Sequence, residues 1–329
     1  MSVKISQCKS VAPPSGKRVA VIGAGPAGLA AAAALACYGH KVDVYDRLPE
    51  PGGMLLFAIP EFRIPKDGVR QSIRELADMG ITFHNNIEVG KDLRVNELLE
   101  DYGAVIVSTG TWRGRKLGIP GEEKGGVYDA LGWIVSFMKN MLGYSSPPPP
   151  SLSGNVAVVG AGLTAVDIAE LAAKEYGASV TLLYRRPMSV APARHMLKSL
   201  EKLGVRFIDN VLPLEILGGG KAEKIRLARV KPTTDRKASI EVIPGSEFEL
   251  DLDALVVAVG LQATPPENLK TLGVELNRDG TIRVNENYMT NVPGLFAAGD
   301  VAHGPSNIGL AMRSGRLAAS KVHEYLVRK

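Results

Sequence analysis

The residues with the clearest chemical purpose are glycines at fixed spacing. Gly23-Ala24-Gly25-Pro26-Ala27-Gly28 and Gly160-Ala161-Gly162-Leu163-Thr164-Ala165 both match the pattern G-x-G-x-x-G/A. In that pattern the first glycine permits a tight turn, the second lets backbone approach a pyrophosphate, and the third lets a helix pack close to a strand. The helix behind such a turn offers unbonded N–H groups and partial positive charge to an anion. One copy is weak evidence, because glycine-rich turns also arise for packing. Two copies, with a third apolar strand ending in Ala297-Ala298-Gly299-Asp300, imply two bound dinucleotides and a hydride passed between them.

The elements that must position these turns are legible on either side. Strand-forming runs, Arg18 to Ile22 and Asn155 to Val159, precede the two turns, and alanine-rich helical stretches follow them. The second strand of each unit tells the two ligands apart. Lys41 to Tyr45 leads into Asp46, 18 residues after Gly28, near the ~20 at which an acid bonds a ribose 2′-OH. In the other unit Val180 to Tyr184 leads into Arg185-Arg186, two cations suited to a 2′-phosphate, so the second dinucleotide is expected to be NADPH or NADP⁺. A solvated strand end is the alternative reading of that pair.

At 329 residues the chain has room for about two domains. Its 45% hydrophobic content and 36 glycines suit α/β cores with many turns, giving an expected fold of two Rossmann-like three-layer domains. The expected division is a polar leader 1–16, a discontinuous first domain 17–114 and 265–329, and a second domain 115–264. Ser145-Ser-Pro-Pro-Pro-Pro-Ser151 reads as a stiff segment leading into the second glycine turn, and the last helix is expected from about Ile308 to Tyr325. The net charge of +5 is dispersed among 34 acidic residues. That argues against nucleic acid and for a mild field that steers an acidic redox partner. No stretch approaches a membrane span and the first residues lack a signal-peptide pattern, so a cytoplasmic protein is expected. Cys8 and Cys37 are too few for a disulfide scaffold or a self-contained four-cysteine metal or iron–sulfur site. Cys37 is read as a small buried hydrophobe, and Cys8 as a solvated thiol or, alternatively, a ligand or reactive thiol in an assembly.

Several further stretches carry a resemblance: Pro51-Gly-Gly-Met-Leu55, Ile59-Pro-Glu-Phe-Arg-Ile-Pro-Lys66, Ser108-Thr-Gly110, Leu117-Gly-Ile-Pro-Gly-Glu122, Tyr184-Arg-Arg186 and Ala297-Ala-Gly-Asp300. With them the chain resembles the two-dinucleotide flavoprotein family of the glutamate synthase small subunit, without the N-terminal iron–sulfur domain. The resemblance implies a glutathione- or thioredoxin-reductase-like architecture binding FAD in the first domain and NADPH in the second. It implies FAD contacts at Gly23, Gly25, Pro26, Ala27, Gly28, Asp46, Arg47, Gly53, Met54, Leu55, Arg63, Thr109, Gly110, Gly299, Asp300, Asn307 and Ile308. It implies NADPH contacts at Gly160, Gly162, Leu163, Thr164, Ala165, Arg185 and Arg186; Leu163 stands where relatives commonly carry Asn. Turn and cap roles remain the alternatives for Gly299 and Asp300. Disulfide reductases of similar architecture place a cysteine pair after the Gly-Gly turn or in the second domain, and Met54 to Phe57 occupies the first of those places. No catalytic side chain is expected, because flavin carries the chemistry. The implied activity is an FAD-dependent NAD(P)H oxidoreductase passing electrons to an external iron–sulfur protein or larger redox subunit, with a homodimer left open. The alternative is an electron-transfer subunit of a heterodisulfide-reductase-like complex with weak or no NAD(P)H use.

Overall fold

A computed structural model of the chain describes residues 4, 5, 8, 10–235 and 237–328. It separates into two units, Met1–Arg113 with Gln262–Lys329, and Gly114–Leu261. Each is built on a five-stranded parallel sheet. In the first unit the order is Leu295–Ala297, Ala104–Val107, Arg18–Ile22, Lys41–Asp46, Thr82–Asn85. In the second it is Val127–Asp129, Ala254–Val257, Asn155–Val159, Ser179–Tyr184, Arg206–Asp209. The central strands Val19 to Ile22 and Val156 to Val159 are buried throughout, as expected where helices cover both faces of a parallel sheet. In both sheets the strand preceding the glycine turn has neighbours reached by opposite connections, the switch point at which open α/β sheets bind ligands.

Helix Pro26–Cys37 is alanine-rich and buried on nearly every side. It packs against the last helix, Ile308–Val327. The approach is close because Gly315 has no side chain: a Cβ there would lie 2.0 Å from the Ala27 carbonyl oxygen. Alanine and glycine on these helices therefore serve packing density rather than amphipathic patterning.

The second unit adds an antiparallel sheet, Val211–Leu217, Lys224–Arg229 and Phe248–Asp251. The proline run is held along helix Ala130–Met141. Trp133 Nε1 donates to the Pro150 carbonyl at 2.8 Å and Ser136 Oγ to that of Pro147 at 2.8 Å.

The N-terminal segment overturns one expectation. Cys8 and Cys37 are joined by a disulfide across a sequence separation of 29, so neither is a free thiol and Cys8 is not available as a ligand. The cause is that the leader folds back over the end of helix Pro26–Cys37. Ala12 N donates to the Cys37 carbonyl and Ser15 N to that of Gly39, both at 2.9 Å. Gly39, at φ +78°, allows this approach, since a Cβ there would lie 2.1 Å from the Pro13 carbonyl oxygen. Ile5 is 2% exposed, and its carbonyl accepts from Arg316 at 3.3 Å. Beside this contact His40 bonds Ser15 Oγ at 2.7 Å and His323 at 2.9 Å, with Tyr38 stacked on His323.

Candidate functional site

The first glycine turn separates into positions filled by protein and one that is not. Gly23 has φ +104°, and a Cβ there would lie 2.6 Å from the Ser108 carbonyl oxygen; a Cβ on Gly28 would lie 1.8 Å from the Gly23 oxygen. Both glycines are required by the turn itself. Gly25 is different: its φ of −78° suits any residue, and a Cβ there meets nothing within 4 Å. The backbone at Gly25 is thus bare toward solvent at the start of a 12-residue helix, as a cradle for a diphosphate requires. Gly53 packs directly on this turn, its would-be Cβ 2.7 Å from Gly25 Cα, and Gly299 packs on Ala27 at 2.6 Å. Pro26 opens the helix, and Gly53 precedes the short helix Met54–Phe57, in which Leu55 is fully buried.

Asp46 closes the turn from the neighbouring strand. Its carboxylate accepts from Ala24 N at 2.5 Å and Leu48 N at 2.8 Å. Burial raises its pKa from the usual carboxylate value, opposed by those two backbone bonds and by Arg47. Asp46 therefore fixes the turn's shape as well as lining a cavity of about 630 Å³ with Gly23, Arg47, Thr109 and Trp112. The structural duty was missed in the sequence reading, as was Trp112, over whose ring the Arg47 guanidinium lies at 5.2 Å. Thr109 Oγ1 donates to the Thr264 carbonyl at 2.8 Å, and the Gly110 carbonyl accepts from Thr264 N at 3.1 Å. These bonds hold the Ala263 to Pro266 wall of the cavity. Arg63 does not line it; it sits in the turn before helix Lys66–Asp78, where its N–H donates to the Pro60 carbonyl at 3.0 Å. Lys66 is 2% exposed and donates from Nζ to the carbonyls of Leu55, at 2.7 Å, and Ile59, tying down the short helix.

Asp300 begins helix Asp300–His303 and accepts from Ser306 Oγ at 2.6 Å. Asn307 caps Ile308–Val327, its Oδ1 accepting from Leu310 N at 3.0 Å. This leaves the first turn, at Ile308 and Gly309, without an intrahelical partner for its N–H groups.

The second turn repeats the design. Gly160, at φ +128°, abuts Ala258, whose carbonyl oxygen would lie 2.2 Å from a Cβ; Gly162 is the open position, with nothing within 4 Å. Gly160, Gly162, Leu163, Thr164, Tyr184, Arg185 and Arg186 line one cavity of about 560 Å³, while Ala165 is buried behind it. The two arginines are not equivalent. Arg185 is exposed; Arg186 is 4% exposed and donates to the Ala238 carbonyl at 3.1 Å. The stretch Leu117 to Glu122 has a structural explanation: the Glu122 carboxylate accepts from Leu117 N at 2.6 Å and Gly118 N at 2.8 Å, closing the loop on itself.

Comparison with known proteins agrees with this geometry. Residues 17–315 match the family described as pyridine nucleotide-disulphide oxidoreductase. The glutamate synthase [NADPH] small chain of Halomonas elongata is 36% identical over 94% of this chain and 68% of its own length. The NADP(+)-dependent formate dehydrogenase subunit beta of Moorella thermoacetica is 35% identical over 95% of this chain and 44% of its own length. Mycobacterium tuberculosis FprA in complex with NADPH superposes with a TM-score of 0.80 at 22% identity, covering 96% of this chain and 85% of that one. The matching residues and the paired cradles agree: the chain belongs to the pyridine nucleotide-disulphide oxidoreductase family, in the flavoprotein group of the glutamate synthase small chain.

Proposed function

We propose that this protein is an FAD-dependent oxidoreductase that takes reducing equivalents from NADPH and delivers them to an acceptor outside the chain, an iron–sulfur protein or a larger redox subunit. The observation that carries this reading is the duplication of one cradle in two units. In each, the outer glycine is packed against protein and the central one, Gly25 or Gly162, is open.

In this reading Gly25 and the first turn of helix Pro26–Cys37 bind the FAD diphosphate, and Asp46 holds the adenosine ribose. Gly53, Met54 and Leu55, pinned by Lys66, shape the wall beside the ring system. Asp300 meets the ribityl chain, and the bare N–H groups at Ile308 and Gly309 place partial positive charge where negative charge develops on reduction. Bound FAD would supply the redox chemistry, and these residues would hold and orient it. Gly162 and the start of helix Leu163–Tyr176 bind the NADPH diphosphate, and exposed Arg185 reads the 2′-phosphate.

The Cys8–Cys37 bridge lies at the far end of a 12-residue helix from Gly25. At 1.5 Å per residue that is roughly 17 Å along the axis, so the bridge is poorly placed to serve as a dithiol relay at the turn. With Cys8 bridged, a cluster-binding subunit role loses its only proposed ligand. A cytoplasmic location is part of the proposal, and among the described residues no helix is long and apolar enough to cross a membrane. The test is anaerobic titration with NADPH followed at the flavin absorbance. Stoichiometric bleaching supports the reading, and a flavin that NADPH leaves oxidised refutes it.

A further inference from the structure

The cavity of the second unit contains two cationic side chains that the glycine turn and the arginine pair do not account for. Arg115 and Lys116 line it together with Gly160, Gly162 and Arg185. Its one acidic lining residue among those described, Asp129, is committed to capping a helix by accepting from Gly132 N at 2.7 Å. The cavity is thus strongly positive, with more cationic groups than a single 2′-phosphate needs.

Arg115 is held in place. Its N–H donates to the Gly260 carbonyl at 2.9 Å and its Nε to that of Leu261 at 3.2 Å. The stem lies against Gly260, where a Cβ would come within 3.7 Å of Arg115 Cδ. Among the described residues the guanidinium makes no other bond, so its two terminal nitrogens are available to a ligand. Its position follows from the topology. Gly260 lies just beyond strand Ala254–Val257, which adjoins Asn155–Val159 on the side opposite Ser179–Tyr184. Arg185 follows Ser179–Tyr184, so the two arginines flank the glycine turn across the switch point where a dinucleotide lies.

We infer that Arg115 binds the diphosphate of the nicotinamide coenzyme, giving an anchor shared by NADPH and NADH, while Arg185 alone supplies the preference for the 2′-phosphate. This rests on the coenzyme reading above. A guanidinium presents paired donors to phosphate oxygens, and a coenzyme with its adenosine end at Arg185 must run its diphosphate across the turn toward Arg115.

The experiment is isothermal titration of the flavin-loaded full chain with NADP⁺ and NAD⁺, and with 2′-AMP, which carries the 2′-phosphate but no diphosphate. Arg115→Gln is expected to weaken NADP⁺ and NAD⁺ by a common factor of about 10 to 100 while leaving 2′-AMP unchanged, and Arg115→Lys to recover part of the loss. Arg185→Gln is expected to weaken NADP⁺ and 2′-AMP but not NAD⁺. Flavin content should be unchanged in all three variants, because both arginines are exposed in the second unit, and melting should shift only slightly in the Arg115 variants, which give up the bond to the Leu261 carbonyl. An Arg115→Gln protein that binds both coenzymes like wild type, or that loses NADP⁺ selectively, overturns the inference while the coenzyme reading stands. A wild-type protein that binds neither coenzyme overturns both.

Discussion

Gly25→Ala is the substitution that best separates ligand binding from folding. Gly25 sits at φ −78°, ψ −176°, where alanine is unstrained, and the added methyl meets no atom of the protein within 4 Å. Gly25 is also the N-cap of helix Pro26–Cys37, and alanine is a poorer N-cap than glycine, at a cost of about 1 kcal/mol. The flavin-free protein should therefore fold, with melting lowered by a few degrees. The methyl, however, projects into the space in front of the helix terminus. Displacing a diphosphate by one carbon removes on the order of two charge-assisted N–H bonds, each worth about 1.5–3 kcal/mol. The dissociation constant for FAD should rise by roughly 10²- to 10⁴-fold, measured by quenching of flavin fluorescence as FAD is added back to stripped protein. Gly28→Ala is the contrast, since its methyl would lie 1.8 Å from the Gly23 carbonyl oxygen and should destabilise the unit itself. A Gly25→Ala protein that binds FAD within threefold of wild type, or that fails to fold without it, refutes the assignment of this glycine to the ligand.

Gly162→Ala should act in the same way on the other unit, weakening NADP⁺ by a comparable factor in titration calorimetry while flavin content stays at the wild-type level. Cys8→Ser opens a loop of separation 29, which chain entropy values at about 3–4 kcal/mol; the melting temperature should fall, and stopped-flow reduction of the flavin by NADPH should keep its rate. His40 has its pKa lowered from 6.5 by burial, then by His323 and Lys17. A lowered folded-state pKa means its contribution to stability is present above pH 6.5 and is lost as pH falls through the folded value. Urea unfolding at pH 5 and pH 7.5 should show acid destabilisation that His40→Asn reduces, and an unchanged pH dependence in that variant would contradict the assignment.

What was legible in the sequence is what short stretches of backbone dictate. The turns at Gly23 to Gly28 and Gly160 to Ala165 are steric requirements written in six consecutive residues, and their flanking strands and helices follow from local pattern. Side-chain duties that depend on distant partners were not legible. Arg115 gains its place from Leu261, 146 residues later, and in the sequence it is one basic residue in a connecting stretch. Arg185 and Arg186 read as an equal pair, yet the carbonyl of Ala238 draws Arg186 inward. The leader's few apolar residues, Val3, Ile5 and Val11 among them, form no sustained helical or strand pattern, so neither the burial of Ile5 nor the pairing of Cys8 with Cys37 had a local signal. Asp46 was found by its spacing, but its bond to Ala24 N exists only once two strands lie side by side.

The discontinuity of the first unit has a consequence for the order in which the molecule can be completed. Unit Gly114–Leu261 is contiguous, whereas its neighbour needs Gln262–Lys329, which carry the edge strand Leu295–Ala297 and the helix that presses Gly315 onto Ala27. At roughly 5–20 residues per second, synthesis of the 68 residues Gln262–Lys329 takes about 3–14 s. Through that interval the nascent chain has a complete coenzyme fold and an unfinished flavin fold. Helix Pro26–Cys37 waits for a partner that is made only after the whole of unit Gly114–Leu261, so flavin capture follows completion of the coenzyme fold.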